Sequence, residues 1–303
     1  MAPPLIGREI AKRCGGIPGA ARVLARVMCF KCEKSEWLSF HNNKIWDLLD
    51  DDNNDVFLIS KLSLDLFLTP SLKRCLAYCA IFPKYYEMKK EEVIQHWMAE
   101  GFLEPFKESN MMMEEIGNMY LNILLVTSFF QNARKDDYGN IISCKMHDLA
   151  HDFALSISKS ETLIWEGESL DNFSNVLHLF VQFDGHTTPG ISFTGDCFTK
   201  LRTLVSKNID FGDMLSNFKC LHVSKLSGHN IIELPNSVEH LIHLRLLHIL
   251  RTKIEELPES IIKLFNLHTL IIEECQGIKK LPEDLSNLIN LRHINIDRLI
   301  WIW

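Results

Sequence analysis

Along the last third of the chain, apolar positions recur as L-x-x-L-x-L: Leu244, Leu247 and Ile249, then Leu267, Leu270 and Ile272, then Leu291, Ile294 and Ile296. The two-residue alternation closing each triplet predicts a short strand with one buried face. The turn that follows must carry a second apolar segment back to complete a coil. Leu-Pro pairs keep the same period, Leu234-Pro235, Leu257-Pro258 and Leu281-Pro282, at intervals of 23 and 24 residues. A unit of that size cannot bury its apolar face alone, so the pattern predicts a stacked solenoid. Phe218, Leu221 and Val223 read as a fourth rung and Leu201 with Leu204 as the start of a looser one. Residues 160–200 read as an irregular bridge, so about four rungs are expected.

The first half of the chain has helical periodicity. Ile10 and Cys14, then Val23, Leu24 and Val27, predict two short helices separated by Gly15-Gly16-Ile17-Pro18-Gly19, where glycine and proline interrupt the helix. Trp37, Phe40, Ile45, Trp46 and Leu49 continue an apolar face as far as the acidic turn Asp50–Asp55. Further helices are expected over 56–68, over 72–82 with Pro70 in the first turn and Pro83 at the stop, over 90–100 before Gly101, and over 112–128. Two β-prone runs, Phe129 to Arg134 and Ile141 to Met146, flank a turn containing Gly139 and predict a hairpin. A last helix is expected over 147–157. Helices, one hairpin and a closing helix are the parts of a winged helix.

Composition narrows the function class. The 303 residues are 47% apolar and 23% charged, with a net charge of -7, so gripping nucleic-acid phosphates is not the expected business of this chain. Nine scattered cysteines fit reduced thiols and a cytoplasmic location, and the lone Cys29-x-x-Cys32 reads as buried helix thiols. No signal peptide or membrane span is expected.

The order of these segments resembles plant intracellular immune receptors of the coiled-coil, nucleotide-binding (NB-ARC), leucine-rich-repeat class. Gly15-Gly16-Ile17-Pro18-Gly19-Ala20 resembles the family's G-G-L-P-L-A motif. Cys75 to Pro83 and Glu92 to Phe102 resemble its winged-helix opening, and Met146-His147-Asp148 is its M-H-D motif. The resemblance implies a multidomain chain: an α-helical remnant of the NB-ARC module over 1–55, a winged-helix domain over 56–160, and an α/β leucine-rich-repeat solenoid over 161–303. It implies a role in plant defence that is not enzymatic, exercised through proteins: a pathogen effector, a guarded host protein, or the receptor's own domains. It also implies an ADP/ATP switch in which Pro18 contacts adenine, His147 reaches the β-phosphate and Asp148 orients or caps.

Departures from the family pattern limit that inheritance. No G-x-x-x-x-G-K-[ST] phosphate loop occurs, Gly19 stands where the family has leucine, and the chain stops at Ile300-Trp301-Ile302-Trp303 in mid-repeat, so both ends read as cut. ADP/ATP binding by this chain is therefore expected to be weak or absent, since phosphates supply most of a nucleotide's binding energy. Leu48-Leu49-Asp50-Asp51 resembles a Walker B segment in the wrong order and reads as a loop.

Three other readings compete. A DNA-binding winged-helix regulator would present helix 90–100 to the major groove, but its glutamates together with Val93, Ile94 and Trp97 suit packing better. A fragment without independent function is the second. His147 and His151, four apart, have zinc-ligand spacing without a third ligand, so metal binding is not expected. On the solenoid, Arg245, His248, His268, Thr269, Glu273, Arg292, His293 and Asn295 are expected to line a concave face suited to binding partners.

Overall fold

A computed structural model describes residues 4–12, 25, 28, 34–42, 69–104, 110–158, 160–165, 175–183 and 198–297. Pro18 and its glycines, Cys29, Cys32, the Leu48–Asp51 run, the helix expected over 56–68 and the Ile300–Trp303 end lie outside the described residues. The chain forms two units, Met1–Ile94 with Phe102–Ser158, and Gln95–Gly101 with Lys159–Trp303.

The first unit is helical with one small sheet. Helices α1 (Pro4–Lys12) and α2 (Lys34–His41) are joined by His41 Nε2, 2.9 Å from Glu9 Oε2. Helix α3 (Pro70–Tyr78) starts as the sequence predicts: the Thr69 hydroxyl accepts the Leu72 N–H at 3.2 Å and Pro70 occupies the first turn, where its missing N–H costs nothing. A 3-10 turn, Cys79–Ile81, follows, and Phe82 leaves it extended (φ -81°, ψ 137°), as a residue preceding proline must.

Strand β1 (Met88–Lys89) then leads into α4 (Lys90–Glu100), and α5 (Met113–Val126) precedes the hairpin β2 (Phe130–Lys135) and β3 (Ile141–Met146). The antiparallel order is β1-β3-β2, with Met88 opposite Cys144 and Phe130 opposite Met146. Two-residue β1 carries too little pattern to be read from sequence. In the hairpin turn, Asp136 accepts backbone N–H groups from Tyr138 and Asn140, and Gly139 takes φ +86°. Helix α5 packs so closely on α4 that a Cβ on Gly117 would lie 2.5 Å from Ile94 Cγ2. Burial raises the thiols here, Cys75 well above the ordinary range and Cys144 to about 12, which keeps them protonated and unreactive.

Among the described residues of the second unit seven strands form one parallel sheet: β4 (Thr162–Trp165), β5 (His178–Gln182), β6 (Thr203–Lys207), β7 (Val223–Ser227), β8 (Leu246–Leu250), β9 (Thr269–Glu273) and β10 (His293–Ile296). Seven strands replace the expected four rungs, and β4 and β5 fall in the segment read as an irregular bridge. Neither carries the Leu-Pro marker, and a strand without its repeat spacing has no local signature. Pro235 and Pro258 stand immediately before the 3-10 segments Asn236–His240 and Glu259–Lys263, at φ -68° and -65°, so the Leu-Pro pair sets the return path of the coil. The residue after β6, β8 and β9 adopts a left-handed conformation, at Asn208, Arg251 and Glu274, and Gly228 follows β7 at φ +135°.

The inward ladder is as read over two repeats, with Leu244, Leu247, Ile249, Leu267, Leu270 and Ile272 buried together. In the last described repeat Leu291 and Ile296 are half-buried and Ile294, in register with Leu270, is exposed. One rung differs in parity. Register pairs Ser224 with Leu204 and Leu247, so Ser224 occupies the ladder position, while Val223 pairs with Thr203 and Leu246 on the opposite face. Strand alternation allows no other outcome once Leu221 and Leu226 point inward. The Ser224 hydroxyl is buried without a hydrogen-bond partner. Ser224→Ala removes an unpaired polar group and is expected to stabilise the protein by about 1 kcal/mol, read as a raised midpoint in urea. An unchanged or lowered midpoint would mean the hydroxyl is satisfied.

Candidate functional site

Two clusters of polar side chains stand out, one in each unit. The first surrounds the start of α6 (Asp148–Ser158). The His147 N–H donates to the Phe129 carbonyl at 2.9 Å, tying the residue to the hairpin. Its Nδ1 accepts the Leu149 N–H at 3.2 Å, so the imidazole serves as an N-cap. The cap defines the tautomer: Nδ1 carries the lone pair, leaving the neutral ring's proton on Nε2.

Asp148 opens the helix, where a carboxylate complements the backbone dipole. Its Oδ2 accepts the Tyr85 hydroxyl at 2.9 Å, and that bond raises the Tyr85 phenol. Buried His151 donates from Nε2 to the Phe82 carbonyl at 2.8 Å, and Asp152 Oδ1 is 2.6 Å from Lys84 Nζ. Positions 148, 151 and 152 share one helical face, so α6 clamps the Phe82–Tyr85 segment. His151 is committed to a backbone carbonyl and His147 to a backbone amide, which turns the zinc-like spacing to structural work. Among the described residues no three His, Cys, Asp or Glu side chains gather as a metal site.

For a nucleotide, His147 fits one contact: Nε2–H can donate to a phosphate oxygen. Asp148 does not add to it, since a carboxylate repels phosphate and this one is occupied by Tyr85. Pro18, the third candidate, lies outside the described residues, so the structure brings only His147 and Asp148 together.

The second cluster centres on Glu100, in the last turn of α4, which Gly101 closes at φ +75°. Its carboxylate is almost wholly buried. Oε1 accepts the Thr203 hydroxyl at 2.6 Å and lies 3.9 Å from His178 Nδ1. Oε2 lies 3.1 Å from Arg202 Nη2 and 3.7 Å from His222 Nδ1. Arg202 also donates to the Glu100 carbonyl and to His222 Nδ1, each at 3.1 Å, so His222 meets the arginine as an acceptor. Arg245 Nη1 donates to the Ala99 carbonyl at 3.0 Å. Cations thus meet the carbonyl end of a helix, the negative end of its dipole. Ala99 packs on Val223 and Leu246 beside them.

Burial pushes the Glu100 carboxyl up, but His222, His178, Arg202 and the Thr203 hydroxyl together hold it below the ordinary glutamate range. His178 goes the other way for a base. Burial, Arg202 and His222 lower it to about 4 against the opposing pull of Glu100, leaving it neutral at pH 7.

This cluster escaped sequence reading. Glu100 registered only as one of three glutamates suited to packing, although Arg202 and His222 each follow a repeat's first leucine and were legible as a basic row. On the face expected to be open, His248 and Thr269 are buried, Arg245, His268, Glu273 and His293 are half-buried, and Arg292 and Asn295 are exposed. In α4, Glu92, Val93, Ile94 and Trp97 are buried, the packing face expected from their pattern. No described helix is long and apolar enough to cross a membrane.

Comparison with known proteins agrees with both units. The disease resistance protein winged-helix domain matches residues 81–154 and a leucine-rich-repeat region matches residues 200–302. Disease resistance protein RGA2 of Solanum bulbocastanum is 40% identical over 158 residues, 52% of this chain and 16% of that protein. RGA1 of the same species is 34% identical over 243 residues, 80% of this chain and 22% of that protein. Disease resistance protein RPM1 of Arabidopsis thaliana is 29% identical over 265 residues, 86% of this chain and 26% of that protein. The chain spans about a sixth of the length of RGA2, about a fifth of RGA1 and about a quarter of RPM1. With a winged helix ending in the His147-Asp148 cap and a repeat sheet that takes in the end of α4, the chain belongs to the plant disease resistance proteins.

Proposed function

We propose that this chain acts in plant defence through protein–protein interaction, its winged helix and repeats restraining an ADP/ATP switch whose phosphate-binding loop it does not carry. Helix α4 supports the restraint. Its first residues, Lys90–Ile94, belong to the winged-helix unit, and its last, Gln95–Glu100, belong to the repeat unit. The last turn of α4 cannot shift without breaking the buried Glu100 cluster within the repeat unit, and that gives the restraint an energetic basis. His147 would contribute a single phosphate contact and Pro18 an adenine contact. Catalysis has no part in this role.

Calorimetry tests it. The chain alone is expected to bind ADP weaker than about 100 µM, because one imidazole donor replaces a whole phosphate cradle. Added to a separate nucleotide-binding module from a full-length family member, the chain is expected to slow ADP release. Sub-micromolar ADP binding by the chain alone, or an ADP release rate unchanged by the chain, overturns the proposal.

A further inference from the structure

The residue after each repeat's first leucine is basic in five successive repeats: Arg202, His222, Arg245, His268 and Arg292. Backbone hydrogen bonds set them in one row, each N–H donating to the carbonyl of the residue before it in the row at 2.7–2.8 Å. In a chain of net charge -7 this row is a local exception. Its first three members are engaged by Ala99 and Glu100, through the helix-end carbonyls and the buried carboxylate.

The last two are not. Among the described residues neither His268 nor Arg292 has a carboxylate within ion-pair distance, and Arg292 is exposed. The groups acting on His268 are burial and the bases Arg245, Arg292 and His293, all of which lower it, with no acid opposing. The uncompensated charge is that of Arg292, beside a half-buried imidazole, and the same row shows at Arg202 and Arg245 what engages such a charge.

We propose that His268 and Arg292, bordered by Arg245, dock a carboxylate-bearing helix end of a protein partner, in the manner of Ala99–Glu100 at Arg202 and Arg245. Two features recommend this occupant over a phosphate. The row holds carbonyls as well as a carboxylate, and a helix end presents both together at the negative end of its dipole. The spacing is that of the repeat, so a second helix end would meet the same Arg-His-Arg order, Arg245, His268 and Arg292, two repeats along the sheet. This deepens the protein-interaction reading above and rests on it, but involves no nucleotide, so an ADP experiment that fails leaves it readable.

The test is fluorescence anisotropy on the full chain with a labelled, amidated helical peptide ending in Ala-Glu-Glu, at low salt. Binding on the order of tens of micromolar is expected, weakened roughly tenfold by His268→Glu with Arg292→Glu and by raised salt. Arg292→Gln, which keeps the bulk and removes the charge, is expected to weaken binding roughly threefold; circular dichroism confirms that each variant is folded. The proposal falls if the double charge reversal binds as tightly as the parent, or if no binding is seen at millimolar peptide. It falls also if tripolyphosphate displaces the peptide at equal or lower concentration, which would assign the row to phosphate anions.

Discussion

Glu100→Ala is expected to lower the stability of the repeat unit by about 3 kcal/mol, because a buried ion pair broken on one side leaves its partners desolvated and unpaired. Arg202 loses its counter-charge, the Thr203 hydroxyl its acceptor, and His178 the group that opposes its deprotonation. The measurement is urea denaturation with hydrogen exchange read in β5–β7, so that loss in this unit is separated from loss elsewhere. Glu100→Gln, which keeps the shape and one acceptor, is expected to lose about half as much. Glu104→Ala is the control: its ion pair with Arg74 is solvent-exposed, and removing it is expected to change stability by less than about 0.5 kcal/mol. An alanine variant at position 100 as stable as the parent would show that the carboxylate holds nothing in place.

The second large effect is a dependence on pH carried by His178. Its folded pKa, about 4, lies below the ordinary 6.5 of the unfolded chain. Between those values the unfolded state binds the proton and the folded state does not. Stability is therefore full above about pH 6.5 and falls as the solution is acidified towards pH 4. A shift of this size corresponds to about 3 kcal/mol, nearly all of it lost between pH 6.5 and 4. The lowered Glu100 carboxyl acts in the same direction further down: its contribution is present above the unfolded glutamate value and is lost as pH falls through the folded one. Denaturation midpoints from pH 7.5 to 4 should show the slope, and His178→Gln should flatten its upper part. A parent profile flat from pH 6.5 to 4 would contradict the buried, neutral imidazole.

What could be read from the chain without a structure follows from the range of the interactions involved. The Thr69-Pro70 helix start, the Pro83 stop, the Asp136–Asn140 turn and the Leu244–Ile272 ladder are local signals, each set by residues within a few positions or one repeat of each other. His147 and Asp148 are found through family likeness; the structure gives His147 a local partner, Leu149, and Asp148 a distant one, Tyr85. What stayed hidden was non-local. Strands β4 and β5 have no Leu-Pro marker, and their place in the sheet depends on pairing with β6. Val223 was assigned the wrong face because one apolar residue in a degenerate rung does not reveal its parity.

Sequence alone settled the class of this protein: a winged helix followed by leucine-rich repeats, with its apolar residues at helical and then repeat period, because burying those residues leaves few ways to fold. Tertiary structure decided which charges matter. Glu100 and Arg202 are a hundred positions apart, and nothing in either neighbourhood announces the other. Only the seating of Ala99 on Val223 and Leu246 removes water from between them, and that loss of water turns a commonplace glutamate into a buried anchor.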